Sequence, residues 1–167
     1  MFKIRKNVFE TNSSSTHTIC ICRDPISEDA KNKVLDIDTT AEFGWEQSKA
    51  DPVDYLYAMA KCFGRVDELL DMFEDLNLHV IYDGEETTPG IPDPEDDEYW
   101  DAPIDQYGDF YDLFDDLMSD SDFFLRFLFG KTVIYTGNDN SHDSRVDENW
   151  QYPEQKLDNY ATYYKGN

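Results

Sequence analysis

The chain has 167 residues, 40% hydrophobic and 15% aromatic, with a formal net charge of −23 at pH 7, which is the composition of a folded domain and not of a disordered acidic tail. The charge is local: residues 51–130 hold 23 acidic and 3 basic side chains, against 8 and 7 in residues 1–50 and 6 and 4 in residues 131–167. A field of this sign repels DNA, RNA and anionic membranes, so direct nucleic-acid and membrane binding are excluded and the expected partners are cations or basic proteins.

Cys20, Cys22 and Cys62 are odd in number and form no disulfide framework, and Met1 to Lys6 lacks the apolar run of a signal peptide. No window reaches the length of a membrane span; Phe123 to Phe129 is short and holds Arg126. The expected setting is the cytoplasm, reducing, and the expected organisation is a single domain over 1–167 without repeat or linker.

Phe2, Ile4 and Val8 alternate with polar residues, the period of a half-buried strand, and His17 to Cys22 repeats it with Ile19 and Ile21 on one face. The six small polar residues Thr11 to Thr16 between them predict a hairpin loop. Asp24-Pro25 starts a turn, Ser27 is placed to cap a short helix over 28–33, and Val34 to Asp38 reads as a strand. Asp51-Pro52 is a capping acid followed by proline at the first helical position. Apolar residues then recur at three- and four-residue spacing to Leu76, predicting an amphipathic helix over 52–76 with a break at Gly64. Leu78 to Tyr82 reads as a buried strand ending at the Asp83-Gly84 turn.

From Val66 to Leu125 no Lys or Arg occurs, and Asp83 to Asp122 holds sixteen carboxylates. Three prolines between Thr87 and Pro94 introduce an irregular loop through Asp101, in which Tyr99 and Trp100 are candidates for exposure, whereas Tyr107, Phe110 and Phe114 have the spacing of core residues. Helix is predicted again near Asp105, with Phe110, Phe114 and Leu117 on one face and Asp109, Asp112, Asp116 and Asp120 as a carboxylate stripe on the solvent side. Ser119 or Ser121 is placed to cap a second helix ending at Gly130, Lys131 to Thr136 reads as a strand, and Gly137 to Asn140 as a turn. The last thirty residues carry Trp150, Tyr152, Tyr160, Tyr163 and Tyr164 with little periodicity, predicting a wrapping coil.

Three groups of residues bear on chemistry. Ser13, Ser14, Ser15 and Thr16 lie beside His17, the pairing that nucleophilic catalysis uses, but a base next in sequence to its hydroxyl points to the opposite face of a strand. A hairpin loop whose hydroxyls satisfy local backbone groups accounts for the same residues. His17, His79 and His142 with Asp139, Asp143, Cys20 and Cys22 lack the ligand spacing of a zinc site. The oxygen-rich runs 93–98 and 139–143 lack the central glycine and closing glutamate of a calcium loop, leaving weak divalent binding at most. No catalytic residue, resident metal or cofactor is assigned.

The run Phe9-Glu10-Thr11-Asn12-Ser13-Ser14-Ser15-Thr16-His17 after a short basic strand resembles the opening of small uncharacterised proteins from phages and other bacterial mobile elements. No activity travels with that resemblance. The charge pattern separately resembles phage-encoded DNA mimics, acidic inhibitors of the anti-CRISPR or anti-restriction type that occupy nucleic-acid channels, and implies a basic nucleic-acid-binding protein of the host as partner.

The expected fold is α+β, a small antiparallel or mixed sheet from segments 2–9, 17–22, 78–82 and 132–136 packed against helices over 52–76 and 107–129, with a long acidic loop. The expected function is that of an acidic nucleic-acid mimic binding through Glu95, Asp96, Asp97, Glu98, Asp101, Asp105, Asp109, Asp112, Asp116 and Asp120. The alternatives are a small enzyme using the Ser13 to His17 and Gly137 to Asp143 loops, and an acidic accessory protein without a basic partner.

Overall fold

A central strand, β1 (Ser15–Cys22), organises an antiparallel four-stranded sheet in the computed structural model, which describes residues 15–44, 48–87, 103–104, 107–138 and 160–165. On one side it pairs with β5 (Val133–Asn138), Ile19 opposite Ile134 and His17 opposite Thr136. On the other it pairs with β6 (Tyr160–Lys165). The short β3 (Ser48–Ala50) extends the far edge of β5, giving the order β3-β5-β1-β6. Both faces of β1 are buried, His17, Ile19 and Ile21 on one and Thr18, Cys20 and Cys22 on the other.

The longer helices share one core with this sheet because each presents an apolar stripe. In α2 (Pro52–Phe63) the Asp51 side chain accepts the N–H of Val53 at 3.0 Å, Pro52 occupies the first helical position, and Gly64 ends the helix in the left-handed region at φ 64°. The chain restarts one residue later as α3 (Val66–Asp75), so the predicted 52–76 helix is two helices with the break at Gly64. After a 3₁₀ turn at Tyr107–Phe110 come α4 (Tyr111–Ser119) and α5 (Ser121–Phe129). Ile19, Ile21, Ile134, Tyr55, Leu56, Met59, Leu69, Phe110, Phe114, Phe124 and Phe127 belong to one core cluster. Burial at about 25 cal/mol per Å² of apolar surface is the main term holding sheet to helices.

A second, parallel pair joins β2 (Leu35–Ile37) to β4 (Val80–Tyr82). The Leu78 to Tyr82 segment therefore does not join the main sheet. The β2-to-β4 connection runs through α2 and α3, a crossover that brings the strands back parallel, while β3 and β6 take the edges of the antiparallel sheet. The expected terminal coil is corrected over 160–165, where Tyr-Ala-Thr-Tyr-Tyr-Lys forms β6. Its aromatic and β-branched content suits a strand, and its lack of apolar–polar alternation hid it. Gly137 and Asn138, expected in a turn, continue β5. The strand expected over 2–9, residues 88–102 of the expected acidic loop and residues 139–159 lie outside the described residues. Helix α1 (Glu28–Lys31) forms behind Ser27, whose side chain makes no capping bond. The α+β class is the one the sequence predicts.

Candidate functional site: acidic faces on two adjoining helices

In α3, Val66, Leu69 and Phe73 turn into the core, which leaves Asp67, Glu68, Asp71, Glu74 and Asp75 exposed. Asp67, Asp71 and Asp75 are four residues apart, a row with one carboxylate per about 6 Å of helix axis. In α4 the same logic buries Leu113, Phe114 and Leu117 and exposes Asp112, Asp115 and Asp116. Like charges at this spacing cost about 0.2–0.5 kcal/mol per pair. The apolar stripe that fixes the opposite side of each helix has to absorb that cost.

Arg65, immediately before the cation-free stretch, joins the two helices. Its Nε and Nη2 donate to the two Glu68 carboxylate oxygens at 2.7 and 2.8 Å, and its Nη1 donates to Asp115. The guanidinium lies 4.8 Å from the Phe114 ring centroid and 5.8 Å from that of Tyr111. Its hydrogen bonds to Glu68 above all, and to Asp115, hold its pKa above the ordinary arginine value against the opposing effect of burial. Arg65, the cation between these acidic faces, is thus paired with carboxylates of the faces themselves.

The predicted 109–120 stripe is divided by the fold. Asp112 and Asp116 share α4 and are exposed, but Asp109 belongs to the 3₁₀ turn before it. Asp120 sits in extended backbone between α4 and α5, where its Oδ1 accepts the N–H groups of Asp122 at 3.0 Å and Phe123 at 3.1 Å. Asp120 is the α5 cap in place of Ser119 or Ser121; Ser119 turns back to the Asp116 carbonyl. Glu95, Asp96, Asp97, Glu98, Asp101 and Asp105 lie outside the described residues, as do Tyr99 and Trp100. The α3 row falls outside the predicted site, although its i, i+4 spacing is as plain in the sequence as that of Asp112 and Asp116.

The residues weighed for catalysis and metal binding fall elsewhere. His17 is fully buried, with its Nδ1 3.0 Å from the Tyr55 hydroxyl, so its imidazole is a core group and not a base at the surface. Ser13 and Ser14 lie outside the described residues. Cys20 and Cys22 are buried in β1, and burial pushes the Cys62 thiol up to about 11, away from the thiolate that nucleophilic or metal chemistry needs. His79 is exposed, 3.9 Å from Glu86. Among the described residues no three His, Cys, Asp or Glu side chains are grouped to hold a metal ion, and no helix is long and apolar enough to cross a membrane. No family model, curated protein or solved structure matches the chain, so the function has to rest on the residues of these faces.

Proposed function

We propose that the protein is an inhibitor of the kind phages encode, an acidic mimic of nucleic acid that acts in the host cytoplasm by occupying the basic nucleic-acid-binding surface of a defence protein such as a CRISPR effector or restriction enzyme. The observation that carries this reading is the pair of adjoining helices whose exposed carboxylates recur at one-turn spacing while the neighbouring cation, Arg65, is bound within the faces. Duplex DNA presents one negative charge per roughly 1.7 Å of axis, and proteins that hold it line their channels with Lys and Arg. A folded chain imitates that array by fixing carboxylates on rigid elements, which the core-facing stripes of α3 and α4 do. Solubility alone would be served by a net charge of magnitude roughly two to eight for a small domain.

The binding residues on this reading are Asp112 and Asp116 with Asp67, Asp71 and Asp75, together with the acids of 95–105. Competition supplies the test: the protein is titrated against a panel of basic nucleic-acid enzymes, each holding labelled DNA or RNA, at low and high salt. Displacement of nucleic acid that weakens steeply with salt supports the mimic. Displacement from none of them favours the accessory-protein alternative.

A further inference from the structure

The turn at residues 36–40 is tied to two other elements largely through carboxylates. From one side Asp54, in the first turn of α2, accepts the backbone N–H of Asp38 at 2.8 Å. Lys61, seven residues further along that helix and so on the same side, donates to the Thr39 carbonyl at 3.2 Å. From the other side Asp83, just after β4, accepts the backbone N–H of Thr39 at 3.1 Å and its hydroxyl at 2.6 Å, while Asp36 accepts the N–H of Gly84 at 3.0 Å. Asp38 closes the turn on itself by accepting the N–H and hydroxyl of Thr40 at 2.9 and 2.8 Å. The turn is a clasp between α2 and the corner after β4.

We propose that this clasp is a proton-operated device that makes the fold more stable on mild acidification, with Asp54 as the residue that takes the proton. Its acids are not equivalent. Asp54 is half-buried, is opposed by the like charges of Asp51, Asp38 and Asp36, and receives one backbone N–H. Burial first, partly offset by that hydrogen bond, and then the three neighbouring carboxylates bring its carboxyl up to about 6. Asp83 is exposed and receives two donors from Thr39, which hold it below the usual carboxylate value. The Lys61 ammonium faces the turn from α2 but donates to a carbonyl. Protonated Asp54 keeps a carbonyl oxygen for the Asp38 N–H, a weaker acceptor than the carboxylate, but gives up a half-buried charge and the repulsion of its neighbours. A carboxyl that holds its proton more tightly folded than unfolded lets the folded state bind more protons, so stability rises as pH falls through about 6 and the gain is nearly complete by about pH 4.

Asp54→Asn tests this, because the amide oxygen still accepts from Asp38 while the charge is gone. At slightly alkaline pH the variant is expected to melt about 2–4 °C above the wild type, with the gap closing as pH falls below 6. Asp112→Asn removes one exposed carboxylate of α4, outside the clasp, and reports what the loss of a surface acid does. A gap for Asp54→Asn that is independent of pH, or no larger than that for Asp112→Asn, overturns the proposal. Should Asp54→Asn fail to fold, the Asp54 carboxyl carbon is titrated by NMR in the wild type. A midpoint near 6 supports the clasp, and one near the ordinary aspartate value of 3.8 overturns it.

Discussion

The Tyr55 hydroxyl lies 3.0 Å from Nδ1 of His17, and both side chains are fully buried, so one hydrogen bond fastens α2 to the central strand inside the core. Burial holds the Tyr55 phenol well above its ordinary pKa and hence neutral, and Phe110 meets the imidazole edge-on with ring centroids 5.7 Å apart. The imidazole tautomer decides which partner donates.

That contact commits the His17 side chain to the core. Tyr55→Phe is expected to cost about 1–3 kcal/mol by removing a buried partner, and His17→Ala about 3 kcal/mol or more by also opening a cavity. Urea unfolding measures both. Replacing Ser13 and Ser14 is expected to leave stability and inhibition unchanged; loss of inhibition in a folded serine variant would revive the enzyme alternative.

Arg65 couples α3 to α4 through carboxylates that are themselves half-exposed, so its ion pairs are screened and Arg65→Gln should cost only about 1 kcal/mol. Arg65→Lys is expected to recover little of that loss, since a single ammonium cannot hold both Glu68 oxygens and Asp115 in one plane. Unfolding at low and high salt tells the two components apart: the ion-pair part should fade with salt, and the stacking on Phe114 should not.

What could be read from sequence follows from how local each signal is. The Asp51-Pro52 start, the Gly64 break and the buried faces of α3 and α4 are set by residues within a turn or two of one another, and all three are legible. Strand partners are not local. Leu78 to Tyr82 has the composition of any buried strand, and nothing within it distinguishes a parallel partner at Leu35–Ile37 from a place beside β1. Tyr160–Lys165 carries its signal in composition without period, which periodicity cannot find. Asp120 shows the same limit at the site: its spacing fits a stripe, yet the chain leaves the helix there and uses the carboxylate as a cap. The α3 row has the same spacing but lies outside the densest run of acids, which marks residues 95–120.

On the acid side the clasp should fail through Asp83. Its carboxyl is held below 3.8 mainly by the Thr39 hydroxyl and then by the Thr39 N–H, so its contribution is present above about pH 4 and lost as pH falls through the lower folded value. Thr39→Val keeps the shape and the N–H but removes the hydroxyl donor. The acid-unfolding midpoint, followed by circular dichroism, is expected to move to higher pH in this variant; an unmoved midpoint would mean that Asp83 contributes nothing to the acid limb.

The strongest test of the acidic faces sets stability against binding. Changing Asp112 and Asp116 to Asn removes an i, i+4 repulsion and should stabilise α4 by about 0.2–0.5 kcal/mol, and the same change at Asp67, Asp71 and Asp75 should relieve two such pairs in α3. If these carboxylates imitate phosphates, both variants should nevertheless bind the basic target more weakly, and the dependence of binding on salt should flatten as charges are removed. Asp120 provides an internal control, because its Oδ1 is already committed to two backbone N–H groups. Asp120→Asn should preserve the cap and change binding little, whereas Asp120→Ala should cost about 1 kcal/mol through loss of the cap. Binding that survives neutralisation of both rows in folded, stabilised variants would remove α3 and α4 from the contact and leave the acids of 95–105 to carry it, and binding that also survives neutralisation there would end the mimic reading.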